Sequence, residues 1–101
     1  MTLTYAHDVY FVLGGSELVV ALDCLVPTKP PSSQPTAVAT AADRMRDAAV
    51  GKRPRRPPIS VSPLADGRYQ IIDGNATYGA ALKAGWPDLP VSVVADAGAA
   101  R

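Results

Sequence analysis

The sequence predicts an α/β (α+β) fold, a small mixed sheet carrying two main helices. Three observations lead there. Short runs of β-branched and other apolar residues alternate with two stretches of helical periodicity, and glycine or proline punctuates most of the boundaries between them. A length of 101 residues with 48% hydrophobic content then bounds the chain to one domain with a modest core. The expected domain spans 1–101, with its core at about 9–94 and a frayed tail of mainly small residues at 95–101.

Residues 9–13 (VYFVL) and 17–22 (ELVVAL) are apolar runs separated by Gly14-Gly15-Ser16, and this arrangement predicts a hairpin of two strands. The proline-rich segment 23–35 predicts an extended connection that cannot be a central strand, because each proline fixes its own φ and restricts its predecessor. Within 36–50, Val38, Ala41, Ala42, Met45, Ala48 and Ala49 recur at helical intervals, giving the first main helix, stopped by Gly51. Residues 59–64 (ISVSPL) mostly alternate apolar and polar, 65–68 (ADGR) supply a turn, and 69–72 (YQII) read as the strand that pairs back. The second helix is expected at 76–84, closed by Gly85, and the last strand at 89–94. Tyr78, Leu82 and Trp86 stand four apart, a stripe expected to pack this helix and the following loop against the sheet.

A formal charge of +1 gives no general attraction to polyanions, so such binding must come from a local patch. One cysteine, Cys24, and one histidine, His7, supply neither a disulfide framework nor a metal-ligand set, so no metal site is expected and Cys24 reads as a small buried residue. No stretch approaches the ~20 apolar residues of a membrane span, and the N-terminus MTLTYAHD lacks a basic signal-peptide start. The expected location is the cytoplasm, without a membrane partner.

The chemical lead is the turn after 69–72. Asp73-Gly74 precedes a helix whose first turn holds Asn75, Ala76 and Thr77, and the free N–H groups there, with the helix dipole, favour a phosphate or another anion. Asp73 reads either as a base or metal-orienting group near that phosphate or as a helix cap, and Asn75 faces the same choice. Thr77 reads either as a phosphate contact or as a partner for backbone. Lys52, Arg53, Arg55 and Arg56 place four positive charges in seven residues, in a proline-stiffened loop able to meet phosphate or simply to be solvated. No spacing pairs two carboxylates across a reactive bond, so no catalytic residue is assigned.

Taken in order, L-x-x-L-V-P at 22–27, a helix, a basic loop and PPISV…DGRYQIIDGNATYGAALKAGWPDLPVSVV resemble the ParB/sulfiredoxin-like superfamily. Its members share a P-I-x-V…G-x-Y-x-I-x-D-G-x-x-R-x-x-A-x-x-x-G-x-x-x-V-P-V pattern, and the resemblance covers about 22–94. It implies that residues after the D-G turn handle phosphates: a cysteine-histidine-arginine set in sulfiredoxins, an arginine pair in nucleotide-binding ParB proteins, histidines and arginine in a related serine kinase. This sequence has Asn75, Ala76 and Thr77 there, so neither thiolate chemistry nor an arginine contact transfers by position. The superfamily also includes short plasmid-borne fertility and oncogenicity inhibitors for which nucleotide hydrolysis and DNA cleavage have been proposed, which raises a plasmid or phage setting. Three readings follow, in this order. The first binds a nucleotide, with Mg, or a nucleic-acid phosphate at 73–77, with 52–56 closing over it and hydrolysis as an extension. The second is an inactive protein-binding inhibitor or immunity-type module, and the third a scaffold domain of a larger assembly.

Overall fold

The computed structural model describes residues 6–94, so the expected frayed tail lies outside the described residues. The elements are α1 (His7–Tyr10), β1 (Leu18–Ala21), β2 (Leu25–Val26), α2 (Pro35–Ala49), β3 (Ile59–Pro63), β4 (Tyr69–Asp73), α3 (Asn75–Lys83) and β5 (Asp88–Val93). Two short 3-10 turns, Leu22–Cys24 and Pro31–Ser33, bend the connection on either side of β2. One mixed sheet runs β1-β5-β3-β4-β2, with β3 antiparallel to β4 and parallel to β5. This is the α+β architecture expected, with the four-residue α1 added to the two main helices.

The pairing of 59–64 with 69–72 holds, Val61 facing Ile71 and Pro63 facing Tyr69. The proline-rich connection contributes only the two residues of β2, parallel to β4 at the sheet edge, where missing N–H donors cost least. In α2 the periodic positions Val38, Ala41, Met45 and Ala48 are buried, and Gly51 leaves the helix at φ 82°.

The expected hairpin does not form. Residues 7–10 make the single turn α1, Phe11 makes an isolated parallel bridge with Arg56, and β1 pairs antiparallel with β5 instead. A five-residue apolar run satisfies one helical turn plus a bridge as well as it satisfies a strand, and tertiary burial decides between them. Here Tyr10 and Phe11 both enter the core, the Tyr10 ring 5.2 Å from that of Trp86. The glycine loop closes on a side chain: the Glu17 carboxylate accepts the N–H groups of Gly14 and Gly15 at 2.7 and 3.0 Å.

The expected stripe on α3 also needs correction. Tyr78 and Trp86 are buried, but Leu82 is 50% exposed. Burial in α3 follows the axis rather than one face: residues 77–81 are all buried before Leu82 and Lys83 emerge. Small residues allow this enclosure. A Cβ on Gly79 would lie 2.7 Å from Val38 Cγ2 and 3.1 Å from Pro31 Cβ, so α2 and the Pro31 turn approach the α3 backbone closely. Met45, Val61, Ile71, Ala81, Leu89 and Val91 form the fully enclosed centre between helices and sheet.

Candidate phosphate site

β4 delivers the chain to Asp73, and Gly74 turns it into α3. Gly74 has φ 115° and ψ 20°, the left-handed region that disfavours side chains. A Cβ there would also lie 2.7 Å from Ile59 Cβ and press on Ile59 Cγ2, so glycine is required by both conformation and space. The first α3 hydrogen bond runs from Tyr78 N–H to Gly74 O at 2.9 Å, and the N–H groups of Asn75, Ala76 and Thr77 precede it. Gly74 occupies the N-cap position and makes no side-chain cap bond, while Asp73 ends β4 with its side chain exposed. The capping role left open for Asp73 is therefore not the one it has.

Asn75 ties the proline-rich connection to this turn. Its Oδ1 accepts the N–H groups of Thr28 at 2.9 Å and Lys29 at 3.2 Å, and its Nδ2 donates to Thr28 Oγ1 at 2.8 Å. Thr28 Oγ1 in turn donates to Ile71 O at 3.1 Å, so its single proton is used and it must accept from Asn75. The amide orientation is thereby fixed, and Thr28 and exposed Lys29 stand beside the start of α3. Ala76 is half-buried and Thr77 is 2% exposed, so the turn offers a ligand its backbone more readily than the Thr77 side chain.

Arg56 links the basic loop to the turn. Asp73 and Arg56 interact electrostatically, Asp73 lying on β4 opposite Ser60 and Arg56 just preceding β3. Backbone bonds hold Arg56 on the other side: its N–H donates to Tyr10 O and its carbonyl accepts from Val12 N–H, each at 2.8 Å. Burial lowers the Arg56 guanidinium pKa, the charge of Arg44 lowers it further, and Asp73 opposes both. Arg53, Arg55 and Arg56 share an open cleft of about 270 Å³ with Arg44, Pro54 and Pro57. Lys52 is not among these lining residues; its N–H donates to Asp47 O at the end of α2. Sequence reasoning missed Arg44 and Lys29. Nothing local marks Arg44, which lies on a helix and joins the loop only through folding, whereas Lys29 lies two residues after the L-x-x-L-V-P lead-in. Among the described residues no three His, Cys, Asp or Glu side chains group to hold a metal ion, and no helix is long and apolar enough to cross a membrane.

Neither a family model nor a curated protein matches the chain. Among solved structures, the C-terminally truncated chromosome-partitioning protein ParB from Caulobacter crescentus, complexed with CTP-γ-S, aligns with a TM-score of 0.55 and 24% identity, over 84% of this chain and 48% of that one. Sulfiredoxin from Arabidopsis thaliana aligns with a TM-score of 0.53 and 21% identity, over 78% of this chain and 86% of that one. The fold is ParB/sulfiredoxin-like. A conserved hypothetical protein from Pyrococcus furiosus is similar as well, with a TM-score of 0.59, 18% identity, and coverage of 87% of this chain and 37% of that one. The chain spans less than half the length of the Pyrococcus and ParB chains. In this ParB/sulfiredoxin-like sheet, β3 and β4 are the strands that bring Ile59 and Arg56 against the Asp73-Gly74 turn.

Proposed function

We propose that this chain binds the phosphate of a nucleotide or nucleic acid at Asp73, Gly74, Asn75, Ala76 and Thr77, with Lys52, Arg53, Arg55 and Arg56 supplying positive charge. The observation that carries this reading is the N-terminus of α3, where a left-handed glycine without a side-chain cap leaves the first backbone donors to an incoming acceptor. Such an end favours an anion by about 0.3–1 kcal/mol, and up to ~2 kcal/mol when partly buried. The ParB relative holding CTP-γ-S supports a nucleotide. Exposed Asp73 repels a bare phosphate, and a divalent cation such as Mg carried by the nucleotide reverses that effect. The reading is one of binding, and no reactive role is given to Asn75, whose amide is engaged with Thr28 and Lys29, or to Thr77, which is buried. Calorimetry with ATP, CTP and a short DNA duplex, with and without magnesium, tests the proposal. Saturable heat with at least one of them is expected; none with any would overturn it.

A second reading, an inhibitor-type module that binds another protein, is favoured by β1. This strand ends the sheet with Leu18 and Val19 exposed, and an apolar open edge can accept a strand from a partner. Val19→Lys would then remove a co-purifying protein while leaving nucleotide heats unchanged; retention of that protein would count against this reading.

A further inference from the structure

Four arginines converge on one cleft: Arg44 from α2, and Arg53, Arg55 and Arg56 from the loop before β3. Three make contacts that leave donors over. Arg53 Nε lies 3.4 Å from Asp47 Oδ2, Arg55 Nη1 donates to the Asp8 carbonyl at 2.8 Å, and the Arg56 backbone is bonded to Tyr10 and Val12. Each guanidinium carries five N–H donors, so these partners satisfy only part of the set. Arg56 Nη1 is buried with no hydrogen-bond partner among the described residues, a costly state for a charged donor. Arg44 adds like charge beside it. Asp47 meets Arg53, and Asp73 acts on Arg56 from β4, leaving positive charge in excess over these two carboxylates.

From this arrangement we infer that the Arg44–Arg53–Arg55–Arg56 cleft is a binding site for a compact polyphosphate, the chemistry shared by inorganic tripolyphosphate and the triphosphate chain of a nucleotide. A volume of about 270 Å³ falls below the ~300–1,000 Å³ of pockets that enclose whole drug-sized ligands, which suits a phosphate chain with any nucleoside left outside. Guanidinium groups around one cavity match a multivalent anion, each offering two parallel donors to phosphate oxygens. A DNA backbone instead presents single charges along a line. The inference shares the basic loop with the function proposed above but does not depend on the N-terminus of α3.

The test is calorimetric titration of the protein with sodium tripolyphosphate, ATP, inorganic phosphate and a 20-base-pair DNA duplex at fixed ionic strength. Arg44→Gln is compared with Arg46→Gln, an equal charge change on the same helix at a residue paired with Asp43 outside the cleft. Circular dichroism checks that both variants are folded. Tripolyphosphate is expected to bind more tightly than phosphate, with affinity at least tenfold weaker in Arg44→Gln and unchanged in Arg46→Gln. ATP tracking tripolyphosphate in both variants would identify the nucleotide as a source of the chain. Equal losses in the two variants, an unaffected Arg44→Gln, or binding of DNA alone would each overturn the inference. Amide shifts at 74–77 separate the sites: ligand-induced shifts there that survive Arg44→Gln support the α3 turn and not the cleft, and a binding response confined to the arginines does the reverse.

Discussion

Asn75 Oδ1 accepts the backbone N–H of Thr28 at 2.9 Å while Asn75 Nδ2 donates to Thr28 Oγ1 at 2.8 Å, joining the proline-rich connection to the first turn of α3 across 47 residues of sequence. Each such bond contributes about 0.5–1.5 kcal/mol net. Asn75→Ala is expected to lower unfolding free energy by about 1–3 kcal/mol in urea titration. Asn75→Asp keeps the acceptor for Thr28 and Lys29 N–H, loses the donor, and should fall between the two. Equal stability of wild type and Asn75→Ala would show that the tie is not formed in solution.

Gly79→Ala should destabilise the protein although alanine is the better helix former by about 1 kcal/mol. The added Cβ meets Val38 Cγ2 at 2.7 Å and Pro31 Cβ at 3.1 Å, and overpacking of this kind costs about 1–3 kcal/mol. Thermal unfolding of Gly79→Ala and of the double variant Gly79→Ala/Val38→Ala checks the cause, since removing the Val38 branches should recover part of the loss.

Asp73→Asn bears on magnesium. Its exposed carboxylate opposes a bare phosphate at the α3 turn, and two like charges about 4 Å apart in bulk water cost about 1 kcal/mol, close to fivefold in affinity. The variant should bind nucleotide better in chelator and gain less from magnesium than wild type, as read by calorimetry.

The Glu17 loop makes a pH prediction. The Gly14 N–H, and then that of Gly15, hold the Glu17 carboxyl below the ordinary glutamate value. A depressed folded value means that the contact is fully present above the ordinary pKa, about 4.3, and is lost as pH falls through the depressed value. The Gly14 and Gly15 amide shifts should titrate with a midpoint below that of an ordinary glutamate, and Glu17→Gln should abolish that titration.

Much of this architecture was legible in the sequence where one period dominated. α2 announces itself through Val38, Ala41, Met45 and Ala48, and the β3–β4 pair through alternation around the 65–68 turn, because local pattern and tertiary burial agree there. At 9–13 the run is too short for period to decide, and the contacts of Phe11 with Arg56 and Tyr10 with Trp86, remote in sequence, choose helix and bridge over hairpin. The Asp73–Thr77 turn was visible as a motif, whereas Asn75's partners and the position of Arg44 depend on contacts that no local spacing encodes.

The proposed function stands on the backbone at the start of α3 receiving a phosphate. Shift mapping of ¹⁵N-labelled protein with CTP and magnesium tests it most directly. Saturable, concerted shifts are expected at the amides of Gly74, Asn75, Ala76 and Thr77; saturating nucleotide that leaves those four amides unmoved would show that no phosphate sits there.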